Sequence, residues 1–340
     1  MDEDEMNERV FLDLIIALLP GLAPKDRICL SEACNVEGDL IKSSKGDIEK
    51  LLGHGLKLYW DIDAIRAMAQ RDADICGKRS IQVVSWNQAD YPPLLREIYD
   101  PPVVLFYRGQ LPNPEKPLLG MVGTRKPSPE AALQAFALAK DLGRRGISVV
   151  SGLALGIDAM SHRGNLEGGA ATFAVLGSGA DEIYPSTNRT LAKRILETGG
   201  ALLSEYPPGT GPYKWNFPAR NRIISALARC VLIVEAPQRS GALITAGYAL
   251  NEGKELWVAS SGVADGECEQ DNFPGFFDKR GTTKLAQDGA DIIYSANDIL
   301  EKWGMETAGA FRVEEPCELP AGNSGRALAE SMAKRLKIEL

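Results

Sequence analysis

The sequence has no surplus of positive charge. Its 38 lysines and arginines stand against 46 aspartates and glutamates, a formal net charge of −8, which disfavours indiscriminate binding to polyanions. It has no run near the roughly 18 apolar residues of a membrane span. The longest early run, 12–19, contains Asp13 and stops at Pro20, so it reads as a buried helix and no membrane association is expected. Positive charge is also missing where a secretory signal requires it, because Asp2, Glu3, Asp4, Glu5 and Glu8 open the chain; a cytoplasmic location is expected. The six cysteines form no Cys-x-x-Cys pair, which fits a reducing compartment and argues against a zinc site or a disulfide framework. Several catalytic signatures are absent as well: there is no Gly-x-x-x-x-Gly-Lys-Ser/Thr loop, no Gly-x-Ser-x-Gly elbow and no Gly-x-Gly-x-x-Gly after the first strand of the parallel region. A P-loop ATPase, an α/β-hydrolase and a dinucleotide enzyme are thereby disfavoured, and no cofactor, metal or catalytic residue is expected.

What is present is a folded chain: 340 residues, 44% hydrophobic and 25% charged, long enough for two or three domains. Residues 1–75 alternate helical patterns (10–19, 25–33, 48–52, 60–71) with polar breaks, and are expected to form a small all-α, helix-hairpin or SAM-like domain. Its turn Pro-Gly-Leu-Ala-Pro-Lys-Asp reads as a plain helix connection. Residues 76–117 form a proline-punctuated connector in which SIQVVSW and VVLFYRG read as strands around DYPPLL. From Leu118 the apolar runs LLGMV, ISVVS, ATFAVL, ALLSE, CVLIVEA, ELWVAS and DII alternate with helical stretches at 130–145, 157–167, 187–197, 219–228 and 241–251. Continuous apolar runs mark strands covered on both faces. The expected fold is therefore α/β: an extended, Rossmann-like, doubly wound and mainly parallel sheet over 118–303, preceded by the helical unit. Residues 304–340 leave room for a linker and a short helix at 324–336, not for a full winged-helix domain.

In open α/β sheets ligands bind beyond the carboxyl ends of the strands. Four loops there carry small residues: Gly123-Thr124-Arg125, Ser151-Gly152, Gly177-Ser178-Gly179 and Ser240-Gly241. Small residues admit an anion close to backbone N–H groups, and four such loops on one edge point to phosphate binding. Asp158 and His162, four apart on a helix, read as a stabilising pair, since no nucleophile accompanies them. The segment Lys-Trp-Asn-Phe-Pro-Ala-Arg-Asn-Arg, 214–222, interleaves cations with aromatics, the mixture that holds single-stranded nucleic acid: cations meet phosphates and a ring stacks on a base. From 206 to 234 there are four cations and no carboxylate.

The words DYPPLLREIYDPPVVLFYRG, MVGTR, SGLALGIDAMSH, AVLGSGADEIYPSTN, LLSEYPPG, NFPARNRII, VLIVEA and SGALITA, in that order, resemble the DNA-processing protein A family (DprA/Smf) across about residues 85–299. The resemblance implies a protein without catalytic activity that binds single-stranded DNA in a positive pocket, works as a homodimer, and passes the DNA to a RecA-type recombinase in natural transformation and recombination. Carried over residue by residue, it implies a pocket of Arg125, Lys214 and Phe217 with Arg220, Asn221 and Arg222 nearby, floored by Gly123, Ser151, Gly152, Ser240 and Gly241. Where the family has a short loop, this chain carries a longer acidic insertion at 262–283. The same fold group also contains nucleotide-binding sensors and phosphoribohydrolase-like enzymes, but the catalytic glutamate of the latter has no counterpart in Ser-Gly-Ala-Leu-Ile-Thr-Ala-Gly-Tyr-Ala.

Overall fold

The computed structural model describes residues 3–56, 61–264 and 277–305. Five helices come first: Glu3–Leu18 (α1), Pro24–Ala33 (α2), Glu37–Lys42 (α3), Lys45–Leu52 (α4) and Ile62–Arg79 (α5). The strand Gln82–Ser85 (β1), the short helix Pro93–Arg96 (α6) and the strand Val104–Gly109 (β2) follow. The remainder alternates: Leu118–Val122 (β3), Pro129–Arg144 (α7), Ser148–Ser151 (β4), Ile157–Glu167 (α8), Phe173–Val175 (β5), Arg189–Glu197 (α9), Ala201–Ser204 (β6), Asn216–Leu227 (α10), Cys230–Ile233 (β7), Gly241–Asn251 (α11), Glu255–Ala259 (β8), Arg280–Gln287 (α12), Asp291–Ile293 (β9) and Ala296–Lys302 (α13).

The strands form one nine-stranded sheet in the order β1-β2-β6-β5-β4-β3-β7-β8-β9. From β6 to β9 every neighbouring pair is parallel. The chain winds outward one way from β3 through β6 and then returns to pair β7 on the other side of β3, the doubly wound arrangement that opens a crevice at the reversal. β1 and β2 add an antiparallel ribbon to the edge of β6, with Tyr107 opposite Leu203 and Arg108 opposite Leu202. The connector expected from the sequence is therefore part of the same sheet.

Side chains alternate across the sheet as the pleat requires. Leu118, Val122, Val150, Val175, Leu203, Val231 and Ile233 face α10 and α11, where Ile223, Leu227, Ala242 and Ala246 close one core. Leu119, Met121, Val149, Leu232 and Trp257 face the opposite way, against Ala135, Leu138 and Leu142 of α7 and Met160 of α8. Farther along that side Ala174 and Leu202 meet Leu191 and Ile195 of α9. The helices α1 to α5 continue it over the ribbon, where Leu12, Ile15, Ile16 and Leu19 pack with Val104 and Phe106 of β2. The apolar run around Asp13 is thus the buried helix its pattern predicts. Asp13 itself is fully buried, accepts a hydrogen bond from Ser31 Oγ (2.6 Å) and lies 3.7 Å from Arg9 Nε, because a buried carboxylate needs donors and a counter-charge.

Two helices depart from the expected bounds. α10 begins at Asn216, three residues before the expected start, because Pro218 falls in the first turn, where a missing N–H breaks no intrahelical bond. α5 runs on to Arg79, past the expected end of the helical unit, and stops at Ser80 in a left-handed conformation. Among the described residues no helix is long and apolar enough to cross a membrane. The expected terminal helix at 324–336, and 265–276 of the acidic insertion, lie outside the described residues; the end of that insertion opens α12.

Candidate nucleic-acid interface

The crevice at the reversal is built from loops that follow β3, β4, β5 and β7. After β3 the Thr124 N–H donates to Glu235 O across the crevice (2.8 Å), and Thr124 O accepts from the Ile157 N–H that opens α8 (3.2 Å). Four residues on, Ser128 caps α7 and is itself held by the Glu235 carboxylate, through its N–H (2.9 Å) and its hydroxyl (2.5 Å). Burial pushes the Glu235 carboxyl above the usual carboxylate range, and the two bonds from Ser128 pull part of that shift back. Arg125 therefore sits on a short segment pinned at both ends, with an exposed side chain.

Its guanidinium carbon lies 5.6 Å from the centroid of the Phe217 ring. Phe217, in the first turn of α10, rests against Gly177 of the loop after β5, where a Cβ would fall 2.8 Å from the ring. Only glycine lets the ring seat there. Asn216 donates from Nδ2 to Gly177 O (3.0 Å), and the Tyr184 ring packs against Phe217 at 5.6 Å and 46°. Arg125, Gly152, Ala154, Leu155, Tyr184, Pro185 and Phe217 line one cavity. The rim thus offers a cation and aromatic faces, with backbone below. Lys214 lies exposed in the turn leading into α10, beside Trp215, which is 71% exposed. Trp215 stacks in parallel on Tyr213, with centroids 5.0 Å apart and 2° between planes.

The two arginines of α10 lie beneath this surface. Arg220, 4% exposed, donates from Nη1 to Gly152 O (3.0 Å) and to Val175 O, and from Nε to Asn221 Oδ1 (3.2 Å). Burial lowers its pKa to about 10, while the nearby Asp158 carboxylate works the other way. A Cβ at Gly152 would lie 2.6 Å from Arg220 Nη2 and 2.7 Å from Asp158 Oδ2. Gly152 is small, then, because these two side chains occupy the space beside it. Arg222, 5% exposed, bonds both carboxylate oxygens of Glu205 at 2.6 Å and donates from Nε to Asp100 O (3.0 Å). Burial alone would lower its pKa, but Glu205 and Asp100 outweigh that and raise it. It fastens α10 to the end of β6 and to the loop before β2.

The other expected residues are distributed in the same way. Asn221 reaches from Nδ2 to Gly241 O (3.1 Å), joining α10 to the start of α11, which Ser240 caps by accepting from the Ala242 N–H (3.2 Å). Ser151 is fully buried and donates its hydroxyl to Met121 O (2.7 Å). Gly123 meets Ile157, with 2.6 Å to an added Cβ. The structure brings Arg125, Gly152 and Phe217 to one cavity and puts Arg220, Asn221, Arg222 and Ser151 into its scaffold. Asp158 and His162 do not pair as the sequence suggested. Asp158 accepts from the Ala154 N–H (3.3 Å); burial raises its pKa, with the Arg220 cation pulling the other way. His162 turns to Thr172 Oγ1 (2.8 Å), whose hydroxyl is already donated to Val149 O (2.7 Å); the proton is therefore on Nδ1. Tyr184 and Tyr213 were not singled out from the sequence. An aromatic beside a glycine or proline loop reads there as ordinary core.

Residues 82–304 match the family described as DNA recombination-mediator protein A. The protein Smf of Synechocystis sp. is 41% identical over 231 residues, covering 67% of this chain; the chain spans about half of that relative, 55% of its length. The crystal structure of DNA processing protein A from Streptococcus pneumoniae superposes with a TM-score of 0.66 at 31% identity, covering 87% of this chain and 96% of that one. The Helicobacter pylori protein, whose structure concerns its single-stranded DNA binding mode, gives 0.54 at 27% identity over 66% of this chain and 95% of its own. The family match begins at β1 and ends beyond β9, so the unit shared with the family is the whole sheet, ribbon included, and the chain belongs to the DNA recombination-mediator protein A (DprA/Smf) family.

Proposed function

We propose that this chain binds single-stranded DNA at the carboxyl edge of its sheet, does no chemistry on it, and as a cytoplasmic homodimer hands it to a RecA-type recombinase during DNA recombination. The observation that carries the binding is the exposed Arg125 guanidinium set over the Phe217 ring at the mouth of the cavity: a phosphate contact and a stacking face within one nucleotide's reach. Lys214 adds a second phosphate contact. Family membership supports the recombinase and the dimer.

Filter binding with single-stranded DNA, duplex DNA and free nucleotides tests the reading. Single strands are expected to bind best with little sequence preference. If about 3–4 phosphates are held, log affinity falls with log salt at a slope of about −2 to −3, from roughly −0.7 per phosphate. Arg125→Ala or Lys214→Ala weakens binding and flattens that slope by about 0.7. Phe217→Ala costs about 1–3 kcal/mol and leaves the slope intact, because a stacking face releases no counter-ions. Binding of mononucleotides as tight as that of single strands would replace this reading by a nucleotide sensor.

A further inference from the structure

We propose that the Tyr213–Trp215 stack is a second base platform for the same DNA strand, lying outside the cavity and engaging the nucleotide next to the one over Phe217. The proposal rests on the single-strand reading above. The described part of the protein buries its other tryptophans: Trp257 and Trp303 are 1% and 7% exposed and Trp86 is half-buried, while Trp215 is 71% exposed and Tyr213 51% exposed. Two large rings left in water at one spot mark a binding surface rather than scattered surface apolarity.

The pair is also held in place. Its parallel rings, 5.0 Å apart, fix each other's orientation, so little rotamer freedom remains to be lost when a base stacks on the outer face. The backbone beneath is tied down: the Tyr213 N–H donates to Gly211 O (2.9 Å) and the Asn216 N–H to Tyr213 O (3.0 Å). Through its side chain Asn216 grips Gly177 O, the residue on which Phe217 rests. Platform and cavity thus share one anchored turn. Lys214, exposed between the two rings in sequence, supplies the cation that the phosphate between two stacked bases requires, in a stretch without a carboxylate. Aromatic faces separated by a cation are suited to successive unpaired bases, whereas a duplex hides its base faces.

The test uses the full chain with a long oligothymidylate and a thymidine trinucleotide, reading both affinity and tryptophan fluorescence. For the long strand Trp215→Ala is expected to weaken binding roughly five- to hundredfold with the salt slope unchanged. Trp215→Phe, which keeps an aromatic face, should restore affinity while removing the fluorescence quenching that DNA causes in the parent protein. The trinucleotide should show a smaller loss with Trp215→Ala than the long strand. Circular dichroism and thermal melting confirm that both variants are folded. If the parent binds single strands and folded Trp215→Ala binds them as tightly, or if Trp215→Phe is as weak as Trp215→Ala, the platform is refuted while the single-strand reading stands. If the parent binds no single-stranded DNA, both fail together.

Discussion

Arg220→Ala is expected to cost about 3–5 kcal/mol of folding stability, as breaking a buried charged network does. The residue lies among the cations that sequence reading assigns to DNA, yet it is 4% exposed and its guanidinium is bonded to Gly152 O, just past β4, and to Val175 O, at the end of β5. Alanine leaves both carbonyls without their donor and Asp158 without the cation that favours its charged form. Urea denaturation measures the loss. Any drop in DNA affinity should track the unfolded fraction, unlike that of Arg125→Ala, whose side chain is exposed. Adding Asp158→Asn to Arg220→Ala should recover part of the stability, since the stranded carboxylate is then gone. A fully stable, folded Arg220→Ala with weakened DNA binding would instead make this arginine a direct DNA contact.

Acid should destabilise the protein through His162, well before its surface carboxylates are protonated. Complete burial, with Arg220 nearby, lowers the pKa of this imidazole from 6.5 to about 3. In the unfolded chain the ring takes up a proton below about 6.5; in the folded protein it stays neutral down to about 3. The contribution is therefore fully present above pH 6.5 and declines as pH falls, by about 1.4 kcal/mol per pH unit at most. Asp158 acts in the opposite sense: its raised pKa means the folded state binds that proton more readily, so its contribution fades as pH rises through the folded value. From pH 6.5 to 5 the histidine alone amounts to about 2 kcal/mol. His162→Gln, read by urea midpoints across this range, should flatten the decline. Parallel profiles for parent and variant would show that His162 does not titrate between the two states.

The parallel half of the fold was legible because strands covered on both faces must be continuous apolar runs, and Ile157–Glu167 and Gly241–Asn251 form over the residues their periodicity marks. SIQVVSW and VVLFYRG also read as strands, but their partner did not. Phe106 pairs with Ser204, and nothing local encodes a pairing nearly a hundred residues away. At the crevice, Arg125 and Phe217 were expected together from the family resemblance, and the structure sets the guanidinium carbon 5.6 Å from the ring centroid. Arg220 and Arg222 look identical to Lys214 in sequence. What separates them is their place: Lys214 lies exposed in the turn before α10, whereas Arg220 and Arg222 lie within the helix and reach Val175 O and Glu205. Gly152 was read as space for a phosphate, and the structure fills that space with two side chains.

The antiparallel ribbon sets where this protein can be cut. A fragment starting at Leu118 would hold every parallel strand and the entire cavity, and its sequence would look like a complete domain. It would also strip β2 from Ala201–Ser204, whose residues are all buried, leaving a bare row of N–H and C=O groups on an apolar strand. Such an edge invites pairing with another chain. A fragment that keeps this edge paired must therefore begin ahead of Gln82, and one that also drops α1 to α5 would uncover Val104 and Phe106, against which Leu12, Ile15 and Leu19 pack.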